Sequence, residues 1–270
     1  MIKLRQSIIE SYLKCPYKCF MEYGDIGQPT PFEVSNEEPP TNKYALTGIA
    51  FHETMEEWGN RLIKENYRMT LPEMKEDLTI RFEKIPVDCF DNEEDRAEYR
   101  SSLYEQLDWI YEQGCQTNSL IAVEKKFELD SPFKDMDLEI SGTMDRIEGN
   151  MERKDVIICD YKTGKTYTKN KMNNSSQVIM YVMAFYKMYG FYPKAFVFYF
   201  TKTKRKFTIP ITQDMINRVS AEIVSVVYKM KNRQWIPDNR NKYFCNNFCS
   251  FKKDCPVWKK NSGWGQFTKK

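Results

Sequence analysis

The sequence predicts an α/β fold: an α/β core carrying a helical N-terminal elaboration. Three observations support that expectation. Up to about residue 115 the apolar residues recur every three or four positions, the period of a buried helix face. From Leu120 to Lys162 they alternate or run together, as strands do. Beyond that, a helical pattern and a short apolar run complete a strand–helix–strand order, which suits a sheet covered by helices.

Residues 4–15 read as a short helix, and Pro29–Pro40, rich in proline and acid, as a loop. Helices follow over about 43–66, 72–84 and 92–115. Leu120–Leu129, Leu138–Glu148 and Val156–Lys162 read as strands, separated by the polar turns SPFKD and GNMERKD. Residues 175–190 return to the helical period, with a serine cap in front and Gly190 at the end. A strand at Ala195–Thr201, a basic turn (KTKRK) and a helix over about 212–232 come next. The tail, residues 241–270, lacks a period and is rich in cysteine, aromatics and lysine.

The chain has 270 residues, ample for a sizeable core, and is 41% hydrophobic and 14% aromatic. A charged fraction of 29% excludes a membrane bundle. No apolar run approaches the roughly 18 residues that span a bilayer. The N-terminus, MIKLRQSIIESYLKCPYKCF, lacks the apolar stretch of a secretory signal, so an intracellular protein is expected. A net charge of +3 hides an asymmetry: residues 151–270 carry 24 Lys+Arg against 7 Asp+Glu, and residues 1–150 carry 17 against 31. A basic half suits a polyanion such as nucleic acid, although a solvated lysine-rich face has the same count. Eight cysteines in a reducing compartment point away from disulfides and toward metal or cluster ligation, with inert core thiols as the alternative.

The stretch SGTMDRIEGNMERKDVIICDYKTGK carries the most chemistry. Asp145 and Asp160 lie near the ends of successive strands, and a turn around Gly149–Lys154 folds the two back as an antiparallel hairpin. That brings both carboxylates to one end of the sheet. Lys162, two residues after Asp160, shares its face. Two carboxylates with a lysine beside them form a hard-cation site for Mg²⁺ or Mn²⁺, able to polarise a phosphodiester and acidify a water. The lysine steadies developing negative charge. An isolated Asp-x-Lys is far more often a pair of surface charges, so the weight falls on its surroundings.

Those surroundings resemble a known family. Gly142-Thr-Met-Asp145-Arg followed by Ile-Cys-Asp160-Tyr-Lys162-Thr-Gly is similar to the nuclease core of the PD-(D/E)xK superfamily, in its RecB-like branch. Gly48-x-x-x-His52 resembles that branch's G-x-x-x-H motif, and Gln177-x-x-x-Tyr181 its Q-x-x-x-Y motif. The four motifs stand in the family's order; Met144 departs from the proline of the superfamily name. The resemblance implies a restriction-endonuclease-like core, a mixed sheet flanked by helices. It also implies metal ligation by His52, Asp145, Asp160 and the Tyr161 carbonyl, with Lys162, Gln177 and Tyr181 completing the site. His52 is the only histidine of the chain. Glu53 and Glu56 read as solvated, and Glu124 as a weak further candidate.

The tail reads Cys245-x₃-Cys249-x₅-Cys255-Pro, three thiols in a segment that does not suit core packing. A four-thiolate site lacks one ligand, which Cys15 offers, with Cys19 as competitor. Cys89, Cys115 and Cys159 read as buried thiols. The same arrangement is similar to the iron–sulfur RecB-like nucleases, which include CRISPR-adaptation nucleases and AddB-type nuclease domains. It implies a [4Fe–4S] cluster on Cys15, Cys245, Cys249 and Cys255, clasping the chain ends. Zinc is the alternative, although zinc knuckles pair their cysteines more closely.

The expectation is one domain over 1–270: a mainly helical part (1–118), a catalytic core (119–202), and a C-terminal helix with the cysteine-rich region (203–270). Its activity would be metal-dependent cleavage of DNA, as an exonuclease or end-processing enzyme on single strands or duplex ends. Lys202, Lys204, Arg205, Lys206, Lys252, Lys253 and the tail lysines 259 and 260 would hold phosphates, with Trp258 stacking on bases. A binding subunit that serves a helicase or recombination partner is the alternative. The chain has no helicase P-loop of its own.

Overall fold

The helical and strand periods fold where the sequence places them. The computed structural model describes residues 2–24, 42–133, 136–238, 240–247 and 249–260. The expected Pro29–Pro40 loop and the last two residues of SPFKD lie outside that range. In chain order the elements are β1 (Ile2–Leu4), α1 (Gln6–Lys14), α2 (Pro16–Tyr23), α3 (Lys43–Glu65), α4 (Leu71–Phe82), α5 (Glu93–Gly114), β2 (Leu120–Asp130), β3 (Leu138–Asn150), β4 (Asp155–Lys162), α6 (Lys169–Asn173), α7 (Ser176–Tyr189), β5 (Ala195–Phe200), β6 (Arg205–Pro210), α8 (Gln213–Lys231), α9 (Lys242–Asn247) and α10 (Pro256–Lys260). A mixed sheet flanked by helices results, the restriction-endonuclease-like arrangement.

Six elements depart from the sequence expectation, among them the short helices α9 and α10 in a tail read as aperiodic. Strand β1 lies ahead of the expected 4–15 helix, taking only Leu4 from it, and owes its form to parallel pairing with Leu138–Ile140. Helix α2 starts afresh at Pro16, whose ring suits the first helical position. Helix α6 is a single capped turn, with Thr168 Oγ1 accepting from the Lys171 N–H. Strand β6 takes in Arg205 and Lys206, expected in the basic turn, because they pair with Phe200 and Tyr199 of β5. No helix among the described residues is long and apolar enough to cross a membrane.

The chain divides into two units, one of Met1–Ser35, Glu128–Ser141 and Asn217–Lys270, the other of Asn36–Phe127 and Gly142–Ile216. The first gathers both chain ends. Its α8 buries Val219, Ile223, Val226, Val227 and Met230, a stripe at helical spacing. Tyr12 of α1 donates to the Gln234 carbonyl at 2.9 Å and stands edge-on to Trp235, ring centroids 5.8 Å apart. Cys15 ends α1 and opens α2 in an extended conformation, so its side chain sits at a corner between two helices.

In the second unit β3 and β4 form the expected antiparallel hairpin, with Arg146 opposite Cys159 and Asn150 opposite Asp155. After α6 and α7, β5 returns parallel to β4, as a helical crossover requires. Every residue of β5 is buried, which explains its unbroken apolar run AFVFYF. One core packs α3, α4 and α5 through Phe51, Met55, Trp58, Leu78, Phe82, Leu107 and Ile110 with Tyr161 and Tyr199 of the sheet. Helix α7 buries Val178, Ile179, Val182 and Phe185. The strand ends are thereby held between two helical layers, which positions the site.

Candidate metal centre

Period-2 alternation sends Asp145 of β3 and Asp160 of β4 to one face, and Arg146, Cys159 and Tyr161 to the other. Because Arg146 pairs with Cys159, the two aspartates sit opposite one another one step further along. Asp145 and Asp160 are 8% and 2% exposed. The Tyr161 N–H donates to Asp145 Oδ2 at 2.8 Å, locking the carboxylate to the neighbouring strand. On the far face the Tyr161 hydroxyl accepts from Arg146, itself fully buried and paired with Glu148.

Helix α3 supplies His52. At Gly59 a Cβ would lie 2.3 Å from Val123 Cγ1, so the helix rests on β2 at a distance only glycine permits. That approach aims His52 at the strand ends: Nδ1 lies 3.5 Å from Asp145 Oδ2 and 3.6 Å from Glu124 Oε1. His52, Glu124 and Asp145 present ligand atoms all within 4.8 Å of one another. Glu124, the weak candidate of the sequence, is thus a full member. Its backbone sits in the left-handed region at φ 43°, within a strand, a strained conformation that turns the carboxylate toward His52.

Asp160 is braced differently. Its Oδ1 accepts from Gln177 Nε2 at 2.6 Å, and its Oδ2 lies 2.8 Å from Lys162 Nζ. That second contact is an ion pair without hydrogen-bond alignment, so Oδ2 remains a buried oxygen with spare acceptor capacity. Gln177 therefore meets the carboxylate directly. Tyr181, 9% exposed, is wedged against Phe127 and Phe196 at ring distances of 5.6 and 6.2 Å.

The electrostatics are those of a crowded acidic pocket. Burial, then repulsion from Asp160, raises the Asp145 pKa to about 7, against the pull of His52 and Lys162. Burial works against a charged His52, yet Asp145, Glu124 and Asp160 outweigh it and raise the imidazole to about 9. Lys162 is likewise held charged against burial by Asp160 and Asp145. An excess of acid around one imidazole and one ammonium is the environment a divalent cation neutralises. The centre opens into a groove of about 490 Å³ lined by Tyr44, Gly48, Ile49, Glu53, Glu56 and Thr163 besides His52 and Glu124.

In the other unit, Cys15, Cys245, Cys249 and Cys255 line one cavity of about 440 Å³. Each is half-buried, and burial followed by the neighbouring thiols raises the pKa of Cys245. Cys19 is buried elsewhere, 3.5 Å from the Ile8 carbonyl. Cys115 and Cys159 are buried as expected; Cys89 is only partly so, in a short turn.

The expected phosphate contacts are dispersed. Lys202 reaches the Tyr99 ring at 5.9 Å, Lys204 pairs with Glu105 at 3.2 Å, and Lys206 lies over Tyr199 at 5.2 Å. Arg205 and Lys253 are exposed. Lys252 donates to the Asn246 carbonyl, and both it and Trp258 stand in the wall of the cysteine cavity. The side chains of residues 259 and 260 lie outside the described range.

A family model described as the PD-(D/E)XK nuclease superfamily matches residues 3–256. The chain is also similar to the crystal structure of SSO0001, at 15% identity over 79% of this chain and 96% of that one, with a TM-score of 0.37. Comparison with the curated proteins gives no match.

Proposed function

This chain belongs to the PD-(D/E)XK nuclease superfamily, and we propose that it is a divalent-metal-dependent deoxyribonuclease acting on single-stranded DNA or duplex ends. The observation that carries this reading is the convergence of His52, Glu124 and Asp145 within 4.8 Å, beside the Asp160–Lys162 pair.

The donors suit Mg²⁺ or Mn²⁺: carboxylate oxygens, one imidazole nitrogen, and the buried Asp160 Oδ2, whose neighbour is the Lys162 ammonium at 2.8 Å. His52, Asp145, Asp160 and the Tyr161 carbonyl would hold the ion, with Glu124 as a further ligand. When bound, such an ion polarises a phosphoryl oxygen and lowers the pKa of a water. The chain's own groups orient the rest. The Tyr161 N–H fixes Asp145, and Gln177 fixes Asp160. Lys162, kept cationic by its two aspartates, faces the charge that develops as the phosphodiester is attacked.

We read the cysteine cavity as a [4Fe–4S] site held by Cys15, Cys245, Cys249 and Cys255. All four line one cavity, and a zinc site usually draws its cysteines from closely spaced pairs, which the lone Cys15 does not offer. A four-iron cluster suits thiols spread around a wide cavity. Its role here is to tie together segments from both ends of the chain.

The test is incubation of anaerobically purified protein with end-labelled single-stranded and duplex DNA in Mg²⁺, Mn²⁺ or EDTA. Metal-dependent fragments are expected. Binding without cleavage under every metal condition would overturn the reading in favour of a binding subunit.

A further inference from the structure

The positions 44, 48, 52 and 56 of α3 recur every four residues, so Tyr44, Gly48, His52 and Glu56 share one helix face. All four line the groove that holds the metal ligands. The face is graded. Tyr44 is 65% exposed at one end, with its ring 5.8 Å from that of Tyr99, which Lys202 approaches from 5.9 Å. Glu53 and Glu56 stand at the other end. Between Tyr44 and His52, Gly48 leaves the floor bare, and even a Cβ there would press on Thr163 Oγ1 at 3.3 Å.

At the Tyr44 end the carboxylates Asp91 and Asp95 are paired with Lys43, and Lys202 stands beside Tyr99, so a phosphate chain leaving His52 meets cations in that direction. Eight residues of helix separate His52 from Tyr44, about 12 Å along the axis, the length of a stretched dinucleotide. An exposed aromatic ring at that distance suits stacking on a base, whose face a single strand offers at every residue and a duplex only at its ends. Ile49, 49% exposed on the groove wall, adds apolar surface along the same path.

Resting on the nuclease reading, we infer that Tyr44 is the stacking platform for a base of single-stranded DNA. The strand runs from the metal centre over Gly48 and leaves between Tyr44 and Lys202. Tyr44 is thus a binding residue that selects unpaired over paired substrate.

The experiment measures binding of fluorescently labelled single-stranded and hairpin-duplex oligonucleotides in EDTA by the parent protein, Tyr44→Ala and Tyr44→Trp, with thermal melting as a check on folding. Stacking on one aromatic is worth about a tenfold change in affinity. Tyr44→Ala is expected to lose about that factor on the single strand and none on the duplex, with Tyr44→Trp restoring it. A Tyr44→Ala variant that binds the single strand like a cleaving parent overturns the platform alone. Equal loss on both substrates also overturns it. A parent that neither binds nor cleaves DNA overturns the reading beneath it.

Discussion

Gln177 Nε2 donates to Asp160 Oδ1 at 2.6 Å, joining the first turn of α7 to the end of β4. Seventeen residues apart, the two make one unit: the amide frees the other carboxylate oxygen for Lys162 and for a cation. Groups that orient a metal ligand in this way typically cost 10–100-fold in affinity or rate when removed, an order-of-magnitude expectation for Gln177→Leu as well. Mn²⁺ titration and cleavage rates check it, and a variant equal to the parent in both would show that Gln177 does not position Asp160.

Glu124 stores strain at φ 43°. Glycine accepts that conformation freely, relieving about 1–3 kcal/mol of strain against about 0.5–1 kcal/mol of added chain entropy. Glu124→Gly should therefore melt no lower than the parent while binding Mn²⁺ at least about tenfold more weakly. A variant with lowered melting and unchanged metal affinity would make Glu124 a structural residue.

Much of this site is legible in the sequence because its residues are close along the chain. Asp145, Asp160 and Lys162 fall on one hairpin, and helical spacing already pairs Gln177 with Tyr181. The role of Glu124 is hidden because strand alternation carries no sign of a left-handed backbone. That Tyr44 shares a groove with His52 is likewise invisible in its sequence neighbours. That Cys15 and not Cys19 shares a cavity with the tail cysteines is invisible in the sequence, where the two stand four residues apart. Strand β1, three residues long, is written in the Leu138–Ile140 segment it pairs with rather than in itself.

Protons compete with metal at the centre. In the folded chain without metal, His52 has a pKa of about 9 against an ordinary 6.5, and Asp145 about 7 against 3.8. Both shifts mean that the folded state holds protons the unfolded chain releases, so stability falls with rising pH. The Asp145 part is lost between about pH 4 and 7, and the His52 part between about pH 6.5 and 9. Protein kept in EDTA should show a melting temperature that declines across that range. Mn²⁺ affinity should climb over the same range, with proton release on binding. Mn²⁺ affinity independent of pH would contradict the assignment.

The cysteine cavity predicts a sharp contrast between neighbours. Cys15→Ser should lose iron and melt earlier, since it removes a cavity-lining thiol that also accepts from the Asp238 N–H at 3.3 Å. Cys19→Ala should keep its iron and lose only the modest packing energy of one buried thiol. Iron content and visible absorbance decide; zinc in place of iron in anaerobically purified protein would leave the site but replace the cluster.

The most direct test of the metal-dependent mechanism compares Asp160→Asn with the parent on DNA that both bind, in Mn²⁺. The substitution keeps the size of the side chain and an oxygen for Gln177 while removing the charge beside Lys162. Cleavage should fall by about a hundredfold or more, with DNA affinity changed only a few-fold. An Asp160→Asn protein that cuts as fast as the parent would contradict the account.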